Sequence, residues 1–345
     1  LVRGPEGKTA PDAALLLKLS RYDASMIASE YGLDFPIDGG SPSSENIRLA
    51  QAIAASLSDT DLPESLPKIG AALWRNDAGA LEALAESLGK ATEFKVEASL
   101  DAGTELRAKL KHYSGAMFYY EGEWYWGIDR LHYLEERLVS LGASRAPTEQ
   151  FVAPCPNVSV EGVSDASTLT LEFFPSLRSP YTSIVFDETV ALAERIGINF
   201  VMRPVLPMVM RGVPATREKG MYIFSDTARE ARRRGVPYGN FHDPIGNPVR
   251  RCYSIYPWAV SQGRGTELLS SFLKHAFSMG VNTNNNRGLK RVVQAAGLDW
   301  REAQAHLGET EWESMLEDNR LSMYEGGIRG VPSYRTTAAE GTDQP

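Results

Sequence analysis

Thr168-Leu169-Thr170-Leu171-Glu172-Phe173-Phe174-Pro175-Ser176-Leu177-Arg178-Ser179-Pro180-Tyr181-Thr182 passes from one structural period to another. Leu169, Leu171 and Phe173 alternate with Thr170 and Glu172, the pattern of a half-buried strand that turns Glu172 to its open face. Pro175 to Arg178 is a loop. From Tyr181 to Gly197 the apolar set Ile184, Val185, Val190, Leu192, Ala193 and Ile196 predicts a helix closed by Gly197. Ile198-Asn199-Phe200-Val201-Met202-Arg203-Pro204 reads as a second strand ended by proline. Strand, helix and strand make a βαβ unit. Residues from about Ser225 to Asn319 are mainly helical in pattern, and Gly330-Val331-Pro332-Ser333-Tyr334 is the entry to another strand.

Outward from this unit, the stretch Ser140 to Ser167 carries Gly142, Pro147, Pro154, Pro156 and Gly162 with little amphipathic period, which marks a linker. The expected boundaries are a first half over 1–145, a linker over 146–166 and a second half over 167–345. Asn157-Val158-Ser159 is a glycosylation sequon inside the linker, read as chance because nothing else indicates secretion.

The first half opens with helical sequence. Ala116-Met117-Phe118-Tyr119-Tyr120, a turn at Glu121-Gly122 and Glu123-Trp124-Tyr125-Trp126 form a hairpin signal, and a helix follows over roughly Asp129 to Leu141. Two motifs recur in the same order in both halves. Ala24, Tyr31 and Gly32 match Ala231, Tyr238 and Gly239, while Leu81, Leu84, Ala85, Leu88 and Gly89 match Leu289, Val292, Val293, Ala296 and Gly297. The second pair is a helical stripe that follows Arg75-Asn76-Asp77 or Asn284-Asn285-Asn286 and closes on glycine. Duplication is the expectation.

The 345 residues suffice for two domains, and 43% hydrophobic with 23% charged excludes a mostly disordered chain. A net charge of -8 gives no bulk attraction to nucleic acid or an anionic bilayer, so a small-molecule substrate is the better expectation. Cys155 and Cys252 make no disulfide framework, which suits a reducing, cytoplasmic compartment. No run approaches the ~18 apolar residues of a membrane span, and Leu1 to Gly7 lacks the apolar core of a secretory signal.

Ser179-Pro180 admits two readings. Serine is a favoured N-cap and proline a favoured first helical residue, so the pair needs no function. The same helix start presents N–H groups and a positive dipole end, where a thiolate is stabilised. Lowering a thiol pKa by about 2 units takes about 2.7 kcal/mol, whereas a dipole supplies about 0.3–1, so another donor must help.

The order strand, Ser179-Pro180-Tyr181, helix, strand ending Arg203-Pro204, helical insertion and Gly330-Val331-Pro332-Ser333 resembles the DsbA-like thioredoxin-fold superfamily. Within it, the chain is most similar to 2-hydroxychromene-2-carboxylate isomerases and kappa-class glutathione transferases, over about Thr168 to Arg335. Trp126-Gly127-Ile128-Asp129-Arg130-Leu131 is similar to the superfamily's closing motif.

The resemblance implies an α/β, thioredoxin-like fold with helical insertions in two tandem, partly incomplete copies. It also implies glutathione as cofactor, with Ser179 donating to the thiolate rather than serving as nucleophile, and Val331-Pro332 as a cis pair whose backbone holds the cysteinyl unit. Pro332 could equally open an edge strand. Lys219 matches a lysine that contacts glutathione, or is a solvated surface lysine. Arg203-Pro204 is structural.

The implied activity is isomerisation by reversible thiolate addition to a conjugated compound. The alternatives are a kappa-like transferase and a non-catalytic binding protein. The last is motivated by the lack of an acidic closing motif after Pro332. In the first half the cis-proline position falls near Gly115 and the Ser-Pro-Tyr unit is absent, so that half is expected to have no independent active site. Neither cysteine lies in Ser179-Pro180-Tyr181-Thr182, so Cys-x-x-Cys disulfide exchange is disfavoured. Arg229, Arg232, Arg233 and Arg234 read as a solvated helix face. His112, His132, His242, His275 and His306 show no metal spacing, and Trp124, Tyr125 and Trp126 read as hairpin packing.

Overall fold

The computed structural model describes residues 13–37, 40–143, 151–155, 166–212, 215–338 and 343–344, with Leu1 and Arg145. Contacts divide the chain into two units, Leu1–Val158 and Ser159–Pro345. Most of the expected 146–166 linker and the whole sequon lie outside the described residues.

The first unit comprises α1 (Ala13–Glu30), α2 (Ser44–Ser56), α3 (Leu62–Trp74), α4 (Ala78–Leu88), α5 (Glu93–Lys109), β1 (Met117–Tyr120), β2 (Glu123–Trp126) and α6 (Leu131–Ser140). Ser43, Asp77 and Thr92 cap α2, α4 and α5 by accepting from the N–H groups of Asn46, Ala80 and Lys95. Ala50, Ile53, Ile69, Ala72, Leu81 and Ala85 form the core of this bundle. The hairpin turns at Glu121-Gly122, both at positive φ. Trp124 packs between the rings of His112 and Tyr119 and donates to the Leu110 carbonyl at 3.0 Å, as a packing residue does. A single 3-10 turn, Ile128–Arg130, precedes α6 where the sequence predicts helix from Asp129.

The second unit comprises β3 (Leu169–Phe174), α7 (Pro180–Ile196), β4 (Asn199–Met202), α8 (Arg217–Arg234), α9 (Asn247–Ser254), α10 (Tyr256–Ser261), α11 (Gly265–Phe277), α12 (Asn286–Ala295), α13 (Trp300–Ala305), α14 (Glu311–Glu325), β5 (Ser333–Ala338) and β6 (Asp343–Gln344). The sheet order is β4-β3-β5-β6, with β3 parallel to β4 and antiparallel to β5. This is a thioredoxin-like α/β arrangement in which α8 to α14 enter between β4 and β5 as a helical insertion. Gly197, left-handed at φ 67°, ends α7 where the sequence predicts it. The two matching stripes form α4 and α12, capped by Asp77 and Asn285 and followed by Gly89 and Gly297 at positive φ.

Two expectations fail. Glu172 does not face solvent: it is 4% exposed, because β3 is covered on both faces. Phe173 joins a core built with Phe186 and α9 to α14, while the adjacent Phe174 joins Val205, Met323 and Ile328 on the other face. Glu172 is tolerated there because Arg203 and its cross-strand partner Arg335 each donate Nε to one of its oxygens. The basic run also splits. Arg232, Arg233 and Arg234 are exposed, but Arg229 is 9% exposed and pairs with Asp226, itself 1% exposed. Arg229 lies on the face of α8 turned inward, away from the three that follow it.

Candidate functional site

The end of β3 and the start of β5 lie side by side, Phe174 opposite Ser333. The loop leaving β3 therefore runs beside the loop entering β5, which brings Ser179 to Val331 across 152 positions of sequence. The Ser179 N–H donates to the Ser176 carbonyl at 3.0 Å, and the Ser179 Oγ accepts from the Thr182 N–H at 3.2 Å. Ser179 is thus the N-cap of α7 with Pro180 at the first helical position, and the plain capping role is real. Its hydroxyl also faces the Val331 carbonyl at 3.4 Å, a long contact that holds the proton weakly. The Val331-Pro332 bond is cis.

A cavity of about 360 Å³ opens in front of this junction. Ser179, Lys219 and Val331 all line it, whereas Pro332 does not. A second helix also begins at the cavity. Thr216 caps α8 by accepting from the Lys219 N–H at 3.2 Å, and Arg217, Lys219 and Gly220 of its first turn line the wall. Two positive dipole ends therefore meet one space.

The charged groups agree with that polarity. Arg178, Arg217 and Lys219 line the cavity, and no acidic side chain does so among the described residues. Arg178 is oriented by a bidentate pair with Asp243, Nε to Oδ1 at 2.9 Å and Nη2 to Oδ2 at 2.8 Å. Pro207, Met208, Val209, Ile223 and Phe224 also line the cavity and add an apolar portion. The Ser176 hydroxyl, also on the wall, is buried with no hydrogen-bond partner among the described residues. An anion with an apolar portion suits such a space.

Arg217, Thr216 and Ser176 were not singled out from sequence. Thr216, two residues before Glu218, carried only an ordinary cap signal, and nothing local marks Ser176 or Arg217. A larger hollow of about 1050 Å³ lies along α7, β4 and α11, lined by Asp187, Glu194, Glu267 and Lys274 among others. It shares no residue with the Ser179 cavity and has mixed charge, so size does not decide the site.

Residues 170–340 match the DSBA-like thioredoxin domain family. This chain carries a DSBA-like thioredoxin domain. The chain is similar to a 2-hydroxychromene-2-carboxylate isomerase structure, with 16% identity over 49% of this chain and 84% of the other, at TM-score 0.41. It is also similar to a probable DsbA oxidoreductase from Streptomyces coelicolor, with 18% identity over 51% and 82%, at TM-score 0.39. The cytosolic disulfide reductase DsbM from Pseudomonas aeruginosa with GSH is similar at 17% identity over 49% and 88%, TM-score 0.39. No curated protein matches the chain.

In this DSBA-like domain the start of α7, Ser179-Pro180-Tyr181-Thr182, carries no cysteine. Cys252 is fully buried in the helical insertion, where burial pushes its thiol up, and Cys155 is exposed in the first unit. Among the described residues no group of histidine, cysteine or carboxylate ligands could hold a metal ion, and no helix is long and apolar enough to cross a membrane.

Proposed function

We propose that the DSBA-like domain binds glutathione between the starts of α7 and α8 and acts as a glutathione-dependent isomerase of a conjugated, 2-hydroxychromene-2-carboxylate-like small molecule. The observation that carries this reading is one cavity that joins the Ser179 hydroxyl, the Val331 backbone and two helix N-termini, with three cations and no described acid on its wall. Bound glutathione supplies a thiolate that adds to a conjugated double bond and leaves again.

Ser179 can turn its proton from the distant Val331 carbonyl toward that sulfur while its oxygen keeps the cap on Thr182. The Val331 backbone is positioned to run beside an extended peptide unit. Arg178, Arg217 and Lys219 suit the carboxylates. The ligand's ammonium finds no acid on the described wall. That mismatch favours a second reading, a non-catalytic binding domain, and a kappa-like transferase would use the same cavity but release a stable conjugate. The first unit is read as an incomplete copy of the fold without a site of its own. Glutathione belongs to reducing compartments, so a cytoplasmic address goes with the proposal.

Calorimetry of the whole chain with glutathione is expected to show one site whose affinity falls as ionic strength rises, because the attraction is carried by partly solvated cations. Product analysis with a conjugated substrate then separates an isomer from a conjugate. No heat of binding from the folded chain would remove both enzyme readings.

A further inference from the structure

β4 is the outermost strand on its side of the sheet, whose order is β4-β3-β5-β6. The Arg203 N–H donates to the Phe173 carbonyl at 2.8 Å, so the alternation of a parallel ladder turns the backbone groups of Asn199, Val201 and Arg203 toward β3. Phe200 and Met202 turn theirs outward, and no hydrogen bond reaches those groups among the described residues. Asn199-Phe200-Val201-Met202 carries no charge and no proline, the devices that commonly block an edge. Such an edge is a template for one more strand.

The hollow of about 1050 Å³ reaches this edge, where Gly197, Ile198 and Phe200 line it. Most of its charges are already matched. Asp187 accepts from the Ser270 hydroxyl at 2.6 Å and pairs with Lys274 at 2.6 Å, and Glu267 pairs with Arg264. Glu194, in the last turns of α7, is exposed and has no ion pair among the described residues. His275 of α11 also lines the hollow and is 6% exposed. Its Nδ1 donates to the Ser271 carbonyl at 2.7 Å, which leaves Nε2 as an acceptor without a partner among the described residues. Burial holds its pKa below the ordinary 6.5, which keeps that lone pair available. One open strand edge, one unmatched carboxylate and one buried, unpaired acceptor therefore border a single space.

We infer that the β4 edge and this hollow dock an extended, basic segment of a partner protein by strand addition, its main chain pairing with Phe200 and Met202 and a basic side chain entering the hollow. In this mode main-chain hydrogen bonds supply affinity, and pockets for alternate side chains supply specificity. A cation offsets Glu194, whereas an acidic segment would set like charges together. The N–H or O–H groups of the guest satisfy His275, which an apolar side chain would leave unpaired. The surface shares no residue with the Ser179 cavity, so this docking is independent of the glutathione reading.

The probe is the blocked peptide acetyl-Thr-Val-Lys-Val-Thr-amide, added to the whole chain at up to about 1 mM and followed by calorimetry and amide hydrogen exchange. Binding is expected to slow exchange at Phe200 and Met202, whose N–H groups are open in the free chain. N-methylation of the three central peptide amides should weaken binding about tenfold or more, the loss of main-chain bonds. Glutamate in place of the peptide's lysine should weaken it about fivefold, as fits a solvated charge pair. Glu194→Lys, a change at an exposed position, should reverse that order and favour the glutamate peptide. No binding of the lysine peptide by the folded chain overturns the proposal. Binding that leaves the Phe200 and Met202 amides unprotected, or that ignores N-methylation, overturns strand addition at β4. A lysine preference unchanged in Glu194→Lys overturns the basic character assigned to the partner.

Discussion

Replacing Glu172 with alanine is expected to destabilise the DSBA-like domain by about 3 kcal/mol, the lower end of the cost of breaking a buried ion pair. Glu172 is held by Arg335 directly across the antiparallel ladder and by Arg203 from the end of β4. Further bonds satisfy the arginines: the Arg335 Nη2 donates to the Ser322 Oγ at 2.9 Å, and the Arg203 Nη1 donates to the Asn319 Oδ1 at 3.4 Å. Removing the carboxylate leaves two cations facing each other under the sheet. The loss stays at the lower end because the Arg203 side chain is 33% exposed and water reaches it. A melting-temperature drop of about 6–12 °C follows for a unit of this size. Glu172→Gln, which keeps acceptor capacity, should fall between alanine and wild type. Thermal unfolding followed by circular dichroism checks the order, and an alanine variant as stable as wild type would dissolve the argument.

The same group sets an acid limit. Burial alone would raise the Glu172 pKa, but hydrogen bonds from Arg335 and Arg203 outweigh it and hold the value below the ordinary 4.5. A carboxyl whose folded pKa is depressed stabilises the fold fully above its unfolded value. That contribution disappears as pH falls through the lower, folded value. Wild-type stability should therefore decline below about pH 4.5 more steeply than that of Glu172→Gln, where this titration is absent. The triad matters for the cavity because it clamps β3, β4 and β5 just where their loops deliver Ser179 and Val331.

The difference between what sequence shows and what it hides is visible at these residues. The βαβ unit was legible because strand period, helix stripe and the stops at Gly197 and Pro204 are local, and each agrees with the next. Ser179 was legible as a cap for the same reason, and the thiolate role proposed for it rests on resemblance. Glu172 was misplaced because alternation reports two faces of a strand but not whether a second layer covers the polar one. Only the meeting of β5 and α14 with that face, more than 100 residues later, makes it interior. Arg229 was misplaced by its three arginine neighbours, since a run of like charges hides the one that turns inward to Asp226. The wall formed by Thr216 and Arg217 needed the packing of α8 on α7, which no local pattern encodes.

Ser179→Ala is expected to weaken glutathione binding at pH 8 by about ten- to a hundredfold, the value of a hydrogen bond to a charged group, about 1.5–3 kcal/mol. The two helix starts at the cavity each stabilise a nearby anion by about 0.3–1 kcal/mol, so together they fall short of the roughly 2.7 kcal/mol that a two-unit shift of a thiol requires. On the proposed reading the Ser179 hydroxyl would close that gap and be the deciding donor. Its loss should raise the pH at which bound thiol ionises by about 1–2 units, read as thiolate absorbance at 240 nm during a pH titration. The missing cap on Thr182 adds about 1 kcal/mol of instability, measured separately by unfolding. Ser179→Thr keeps both the cap and the donor and should recover most of each. A plain capping role predicts that stability falls while thiol ionisation stays where it was, and that result would reduce Ser179 to the start of a helix.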